Sequence, residues 1–398
     1  MNEKTIKKLK KIIPVSFIVL FAAFLVIPNT GLYRSEKNAR LIAQTENRRI
    51  TPRPTQSLKS KEFYTQFEKW YQDRLRYRDK AIKRWNDFNL FFGIIIKENI
   101  VFGEKTFLLD KNVLTNKFNE SNEKVSIIKN LQNYCHTKGK DFIVIVPPNK
   151  ESVYRNYFPK TIQELYKAPE YWHEQAENLF TKNDINYLAI VKPIQEYRKI
   201  ETHDLYFSDD HHWSYYASSF AADLLLKKLQ QDLHQNFYSG LKFDGSTRTA
   251  YKECSYANQL ALDASKKAQA PWSKEYTDEI YLTDCYTGKT TKADRVVSND
   301  VLWGRIVKGE GIVTNKAAKN NIKLLILGDS YSSYMVPYLS QNVKQIITTH
   351  YRDCAEKKKE ANVSKLINKY NPDAVILIIN ESAFFHSSAK NLFKNLKY

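Results

Sequence analysis

Four short runs of almost continuously apolar residues constrain the fold of this chain more than any other feature. They cover residues 142–146, 187–191, 324–327 and 374–379, and they are rich in β-branched side chains. Such runs are typical of strands buried on both faces, as in a parallel sheet covered by helices. Helical patterns alternate with them, at residues 125–138, 215–229 and 362–370. The alternation predicts an α/β fold in which helices flank a parallel sheet.

The composition agrees with a folded core and excludes several other classes of chain. Of the 398 residues, 42% are hydrophobic, so the chain can bury a substantial core in two or three domains. With 11 glycines and 12 prolines it is neither collagen-like nor of low complexity. A polar, proline-marked segment over residues 30–60 predicts a stalk. Residues 61–398 are predicted to form the folded domain, with an irregular or β-rich insertion at about 232–320 where the periodicity fades.

The N-terminus predicts an export signal that is retained as an anchor. Lysines at positions 4, 7, 8, 10 and 11 precede an apolar run over residues 12–27. The run is apolar on all sides, which disfavours a core helix, and its length is at the short end of what spans a bilayer. No clear small-residue cleavage site follows it, so residues 1–29 are interpreted as a signal anchor and not as a cleaved peptide. The lysines then stay in the cytoplasm, and the bulk of the chain lies outside it.

The net charge limits the choice of partners less than the predicted compartment does. Lys and Arg number 62 against 43 Asp and Glu, a formal net charge of +19. Such a charge attracts nucleic acid, anionic lipid and acidic glycan alike. Because the basic residues are predicted to face an exported compartment, we expect no nucleic-acid partner.

The four cysteines give no support for a zinc site. None of them stands in a Cys-x-x-Cys or Cys/His ligand spacing, so we expect no metal. In an exported chain, Cys254 and Cys285 are the preferred disulfide pair because both lie in one polar stretch. Buried free thiols are the alternative.

Reactive side chains follow the predicted strands, at the sheet edge where α/β proteins bind their ligands. The first run leads into Asn149-Lys150-Glu151-Ser152, the third into Gly328-Asp329-Ser330 and the last into Asn380-Glu381-Ser382. A further cluster, Asp209-Asp210-His211-His212-Trp213, stands directly before the helical pattern at 215–229. These segments supply a hydroxyl nucleophile, imidazole bases and carboxylates that could orient the bases.

The order of the cluster residues predicts which of them act together. A serine hydroxyl needs an imidazole to take its proton, and the imidazole needs a carboxylate on its other nitrogen. In an extended segment, positions i and i+2 point the same way, so Asp210 can orient His212 towards Ser330. Asp209 and His211 form a competing pair with the same spacing, and a metal-ligand cluster or a plain polar loop is a further alternative.

These segments resemble a known family. Strand-Gly-Asp-Ser at residues 324–330 looks like the nucleophile block of SGNH hydrolases, which ordinarily place the Asp-x-x-His block after the serine. Here Asp210 and His212 precede Ser330, as in the permuted SGNH domain of the alginate O-acetyltransferase group, and the Asp-His-His-Trp form is similar to that of bacterial DHHW-motif proteins. Residues 101–108 and 146–159 resemble further blocks of this group, so the resemblance covers roughly residues 45–395.

Two departures from the family pattern concern the strand ends. The family often has Arg after the glutamate of the final block, where this chain has Ser382, and an additional Asn149 stands before Lys150. Carried over residue by residue, the resemblance implies that Ser330 is the nucleophile, His212 the general base and Asp210 its orienter. Candidates for substrate or oxyanion contacts are Gly328, Asp329, Lys150, Asn380, Glu381 and Trp213.

The implied reaction is acyl transfer, most simply of acetyl, to hydroxyls of an exported polysaccharide through an acyl-serine. No cofactor is implied, and a multi-pass membrane acyltransferase would supply the acyl group from inside the cell. The implied location is the bacterial cytoplasmic membrane, with a single-pass anchor and the catalytic domain in the periplasm or at the cell surface. An SGNH esterase that removes acyl groups is the first alternative. A basic glycan-binding scaffold without activity is the second.

The lysine cluster and the apolar run predict a membrane-bound protein whose bulk lies outside the cytoplasm. A reporter that is active only outside the cytoplasm should therefore be active when fused after Tyr398. Cell fractionation should recover the full-length chain with the membranes. Activity of a cytoplasm-only reporter at the same position, or a mature N-terminus near Asn29, would contradict this topology.

Overall fold

The structure, a computed structural model, describes most of the chain outside its N-terminal segment. The described residues are 15–20, 23, 35–45, 50–55, 60–75, 77–91, 96–97, 99–115, 122–165, 172–260, 262, 264–284, 288–292, 311–350, 363–387, 393 and 396. They fall into two compact units. The first comprises Met1–Lys97 with Cys254–Ala264, and the second comprises Glu98–Glu253 with Ser265–Tyr398.

The first unit is mainly helical. Its elements are the helices Glu36–Thr45, Lys61–Gln72, Arg78–Phe91 and Ser255–Gln259 and a short strand, β1 (Ile96–Lys97). Ser60 caps the second helix, since its hydroxyl accepts the N–H of Phe63 at 3.1 Å. The buried guanidinium of Arg74 donates to the carboxylate of Glu36 from both Nε (2.9 Å) and Nη2 (2.6 Å). A helix thus occupies part of the segment predicted as a stalk.

Most of the predicted anchor, residues 1–29, lies outside the described residues. Residues 15–20 and 23 are helical, and their side chains are exposed. Among the residues that the structure describes, no helix combines the length and the apolar character that a membrane crossing requires. Cys254 is buried, and its predicted disulfide partner, Cys285, is likewise outside the described residues.

Among the described residues, the second unit is built on a central sheet of seven strands. The strands of the unit are β2 (Ile100–Phe102), β3 (Leu108–Asp110), β4 (Asp141–Ile145), β5 (Thr247–Tyr251), β6 (Lys267–Pro271), β7 (Ile280–Asp284), β8 (Thr290–Lys292), β9 (Gly311–Asn315), β10 (Lys323–Gly328), β11 (Gln345–His350) and β12 (Ala374–Ile378). The central sheet has the order β4-β12-β10-β11-β9-β7-β8. Two antiparallel hairpins, β2 with β3 and β5 with β6, complete the strands.

The predicted α/β fold is confirmed, but the sheet predicted to be parallel is mixed. β4, β12, β10 and β11 pair in parallel, whereas β9, β7 and β8 extend the sheet in antiparallel fashion. The antiparallel strands come largely from the segment predicted as an insertion. In β9, buried and half-buried residues alternate, which is typical of antiparallel strands with one covered face and leaves no long apolar run in the sequence.

The prediction of a strand at residues 187–191 is also wrong. The chain makes only a single parallel bridge there, between Tyr187 and Val144. It then enters the helix Val191–Ile200. Pro193 stands in the first turn of this helix, where a proline is tolerated because its missing N–H has no partner in the helix. The apolar run thus contains a β-bridge at its beginning and the start of a helix at its end.

Helices flank the central sheet, and the three predicted helical patterns correspond closely to the helices Asn122–Thr137, Tyr215–Asp232 and Val363–Tyr370. The helices of the unit include others that were not predicted. They are Asn112–Thr115, Asn122–Thr137, Lys150–Val153, Lys160–Leu165, Trp172–Lys182, Val191–Ile200, Tyr215–Asp232, Ser330–Ser340, Val363–Tyr370 and Glu381–His386, with short 3₁₀ turns at Glu104–Thr106 and Arg155–Tyr157. One face of the core shows the period of two expected of a strand, because alternate residues such as Leu325 with Leu327 and Val375 with Leu377 pack in one cluster. The helix Asn122–Thr137 contributes its buried stripe to that cluster.

The register of the parallel strands decides where the connecting loops meet. Gly328 of β10 lies beside Ile378 of β12, which in turn lies beside Ile145 of β4. The three strands therefore end at the same level. The polar segments that follow them lie along one edge of the sheet.

Candidate active site

Ser330 stands at the first residue of a helix that begins directly after β10. Asp329 caps this helix, and its carboxylate accepts the backbone N–H of Tyr331 at 3.0 Å. The other oxygen of the same carboxylate accepts the N–H of Asn380 at 2.7 Å, from the loop after β12. The strand end and the cap thus hold Ser330, which is partly exposed, at the edge of the sheet.

Gly328 has no room for a side chain. A Cβ built on it would lie 2.6 Å from Oγ and 2.7 Å from Cβ of Ser332. Ser332 cannot easily move away, because its hydroxyl donates to the carbonyl of Asp329 at 2.6 Å. The close turn between β10 and the helix therefore requires glycine at this position.

His212 joins Ser330 to Asp210 through hydrogen bonds at its two ring nitrogens. Nδ1 lies 2.5 Å from Oδ1 of Asp210, and Nε2 lies 2.6 Å from Oγ of Ser330. A carboxylate can only accept, so Nδ1 carries the proton, and Nε2 of the neutral ring accepts the hydroxyl proton of Ser330. The backbone N–H of His212 also donates to Oδ1 of Asp210, at 2.9 Å. This is the geometry that activates a serine as a nucleophile.

Burial and charge act against each other on the pKa of His212. Asp210 and His212 are both fully buried, and burial by itself lowers the pKa of the imidazole. The charge and the hydrogen bond of Asp210, with smaller effects of Glu253 and Asp329, outweigh burial. The pKa of His212 is therefore raised above its ordinary value, which makes it a stronger proton acceptor.

Aromatic side chains hold the His212 segment against the helix that carries Ser330. Trp213 is fully buried, and its Nε1 donates to the carbonyl of Tyr331 at 3.0 Å. In return, the hydroxyl of Tyr331 donates to the carbonyl of His211 at 2.7 Å. The rings of Tyr331 and Tyr334 each lie 5.2 Å from the His212 ring, centroid to centroid.

These two tyrosines were missed by the sequence analysis. Their signal was the spacing of Tyr331, Tyr334 and Tyr338, which places three aromatic rings on one side of a helix. Trp213, predicted as a candidate for substrate contact, packs instead inside this aromatic group.

The competing pair, Asp209 and His211, is arranged differently. Asp209 forms an ion pair with Lys252. His211 is partly exposed, and its ring lies tilted against that of His212 at 3.9 Å between ring centroids. Its Nδ1 is 3.8 Å from Asp210. The structure thus brings Asp210, His212 and Ser330 together in one chain of hydrogen bonds.

Asp210, His211 and His212 could also offer ligand atoms to a metal ion, since these atoms lie within 4.8 Å of one another. In the arrangement described, however, Nδ1 and Nε2 of His212 are already hydrogen-bonded to Asp210 and Ser330. A metal ion bound to His212 would displace one of these partners.

The remaining candidates lie around the Ser330 turn. The side-chain oxygen of Asn380 caps the helix Glu381–His386 by accepting the N–H of Ala383 at 2.7 Å. Glu381 is fully buried, and its Oε2 accepts the N–H of Asn149 (2.8 Å) and the hydroxyl of Ser152 (2.5 Å). It ties the loop after β4 to the loop after β12. Lys150 is fully buried as well, and its ammonium donates to backbone carbonyls of the segment that carries Asp210.

Comparison with known proteins identifies the family. The model of the SGNH hydrolase-like domain of acetyltransferase AlgX matches residues 100–368. PatB1 of Bacillus cereus, solved with a sulfonyl adduct, superposes with a TM-score of 0.52 at 18% identity, over 75% of this chain and 100% of that one. A DHHW family protein from Eubacterium siraeum gives a TM-score of 0.54 at 16% identity, over 76% of this chain and 98% of its own. No protein of curated function matches the sequence.

The crowding at Gly328 predicts that one added methyl group destabilises the fold. We expect Gly328→Ala to lower the free energy of unfolding by about 1–3 kcal/mol, because the added Cβ overlaps Ser332 and shifts the start of the helix. Chemical denaturation of the purified protein measures this loss. Adding Ser332→Gly removes the overlapping atoms and should recover part of it, beyond the effect of Ser332→Gly alone. Purely additive effects of the two substitutions would contradict this account.

Proposed function

We propose that this chain, which belongs to the SGNH hydrolase-like acetyltransferase family of AlgX, transfers acyl groups to hydroxyls of an exported polysaccharide through an acyl-Ser330 intermediate. The observation that carries the proposal is the chain of hydrogen bonds from Asp210 through His212 to Ser330. Family membership supports an enzyme of the acyltransferase and esterase class. The residues give that chemistry a nucleophile, a base and an orienting carboxylate.

In the first half of the proposed reaction, Oγ of Ser330 attacks the carbonyl carbon of the acyl donor while Nε2 of His212 takes the hydroxyl proton. Asp210 stabilises the imidazolium that forms. The tetrahedral intermediate then collapses, the imidazolium returns its proton to the leaving group, and the acyl group stays on Ser330.

In the second half, a sugar hydroxyl gives its proton to Nε2 and attacks the acyl-serine, which releases the ester product and restores the Ser330 hydroxyl. The oxyanion of each intermediate needs donors that already point at it. The backbone N–H of Ser330 at the helix start is one candidate. The side-chain amide of Asn380 is a second, because its loop is bound to Asp329 beside the nucleophile.

The acyl donor and the location follow from the predicted export of the chain. Outside the cytoplasm, acetyl-CoA is not at hand, so a multi-pass membrane acyltransferase would have to supply the acyl group. A signal anchor at residues 1–29 would keep the enzyme at the membrane beside such a partner. The net charge of +19 suits an anionic polysaccharide as acceptor.

The proposed base makes a specific prediction about labelling. A sulfonyl fluoride should modify Ser330, and His212→Ala should slow the modification by about a hundredfold or more because the hydroxyl loses its proton acceptor. Intact-mass and peptide mass spectrometry measure both the rate and the position. In the wild type, the rate should fall as the pH drops through the raised pKa of His212, above its ordinary value of about 6.5, since only the neutral imidazole accepts the proton.

His211→Ala is the matched control, since it removes the neighbouring imidazole and leaves Asp210, His212 and Ser330 in place. It should be labelled nearly as fast as the wild type. Labelling that survives His212→Ala and is lost in His211→Ala would assign the base to His211 and its partner to Asp209.

A second prediction separates transfer from hydrolysis. A transferase must hold its acyl-serine until a sugar hydroxyl arrives, so it orients the acceptor and excludes water, whereas an esterase admits water. The purified protein should therefore hydrolyse 4-nitrophenyl acetate slowly and should acetylate oligosaccharides of its native polymer. In cells, Ser330→Ala should leave the polymer under-acetylated. More acetyl groups in that variant than in the wild type would identify an esterase, and an unchanged polymer would favour the scaffold alternative.

A further inference from the structure

We infer that Lys150 is a positioning residue of the proposed catalytic site: its ammonium holds the backbone turn from Phe207 to Asp210 so that the Asp210 carboxylate meets His212. The inference rests on the proposed function and deepens it. It assigns Lys150 a role that acts through Asp210. From its sequence, this lysine is a candidate for a substrate or oxyanion contact.

The contacts of Lys150 converge on one short turn. Its Nζ donates to the carbonyl of Asp210 at 2.6 Å, to that of Phe207 at 3.1 Å and to that of Ser208 at 3.3 Å. The side chain is fully buried, which keeps it from contact with a substrate at the surface. Three carbonyls of a four-residue turn are thus tied to one cation.

The protonated form of Lys150 fits this turn best. An ammonium group has three N–H bonds, one for each of the carbonyls, whereas a neutral amine would turn a lone pair towards one of them. The charged groups facing it are the carboxylates of Glu151, Asp210 and Asp209 and the ammonium of Lys252. Burial outweighs the effect of the three carboxylates, so the pKa of Lys150 is lowered to about 8.

Asp210 is held at both its main chain and its side chain. Lys150 can therefore affect the catalytic site through the position of Asp210. Its carbonyl accepts from Lys150, while its Oδ1 accepts both the ring Nδ1–H and the backbone N–H of His212. We expect loss of the first anchor to loosen the Asp210 peptide and to shift its carboxylate relative to the ring. The turn itself retains other hydrogen bonds, such as that from the N–H of Leu108 to the carbonyl of Ser208 at 2.7 Å.

The consequence is a change in the basicity of His212. The Asp210 carboxylate raises the pKa of the ring, whereas burial lowers it. If the carboxylate is displaced, it raises the pKa of His212 less, while the opposing effect of burial is unchanged. The pKa of His212 should therefore fall. A role of Lys150 in stability alone would reduce the amount of folded protein without moving this pKa.

Lys150→Met removes the charge and the donors at nearly constant size. We expect it to slow sulfonyl fluoride labelling of Ser330 by about tenfold to a hundredfold, as small misplacements of reacting groups do. The acid limb of the pH profile of labelling should move to lower pH. Lys124→Met is the matched control, because Lys124 is also buried and also donates to a carbonyl, that of Phe384, outside the Asp210 turn. It should leave the labelling rate and the acid limb at their wild-type values.

A double-mutant cycle tests whether Lys150 acts through Asp210. Lys150→Met should slow the labelling of Ser330 much less in an Asp210→Asn background than in the wild type, because the carboxylate that Lys150 positions is already absent. Equal losses in both backgrounds, or an unmoved acid limb in Lys150→Met, would overturn the inference. If Lys150→Met does not fold, Lys150→Gln keeps two N–H donors without the charge, and it should show a smaller shift of the acid limb in the same direction.

These outcomes are separate from the failure of the proposed function. If Ser330 of the wild type is not labelled, or its labelling does not depend on His212, the proposed function fails. If the wild type behaves as proposed and the Lys150 variants keep its acid limb, only the positioning role fails.

Discussion

The parallel pairing of β10 with β12, and of β12 with β4, is the constraint on which the rest of this structure depends. These strands are buried on both faces, and the removal of their apolar side chains from water favours the pairing strongly. Because their ends are in register, the residues that follow them share one edge of the sheet. Ser330 is set at that edge by the first turn of a helix, where the chain must leave the sheet. The position of Ser330 therefore follows from the packing of the strands.

Burial of so many charged and polar groups beside Ser330 requires compensation, since each loses its hydration. Asp210, Glu381 and Lys150 are fully buried, and each is met by hydrogen-bond partners from neighbouring loops. The partners come from segments far apart in sequence, so the network joins the loops that follow β4, β12 and β10 to the turn of Asp210. The same low-polarity surroundings strengthen the effect of Asp210 on His212. Structural support and proposed chemistry thus share one set of residues.

The extent to which the fold was predictable differs between kinds of element. The strands β4, β10 and β12 were predicted within a few residues, because burial on both faces leaves a continuous apolar run. Three helices, Asn122–Thr137, Tyr215–Asp232 and Val363–Tyr370, were predicted as closely. β11 was missed, since its sequence mixes Gln345, Thr348 and Thr349 with apolar residues. The run at 187–191 was misread because a short apolar run does not distinguish a strand from the start of a helix. The antiparallel strands at the far edge of the sheet have one covered face and no comparable signal.

By itself, the sequence determined the residue types of the candidate site and their local geometry. Gly328, Asp329 and Ser330 form a turn and a helix cap through contacts within a few residues, and the i, i+2 spacing of Asp210 and His212 suits a shared hydrogen bond. Only the tertiary structure decided which of two equally spaced pairs faces Ser330, because Asp209 and Asp210 differ in partners from distant segments. Asp209 pairs with Lys252, whereas the backbone of Asp210 is bound by Lys150. Pairing between distant segments depends on the order of the strands in the sheet, and local sequence patterns do not determine that order.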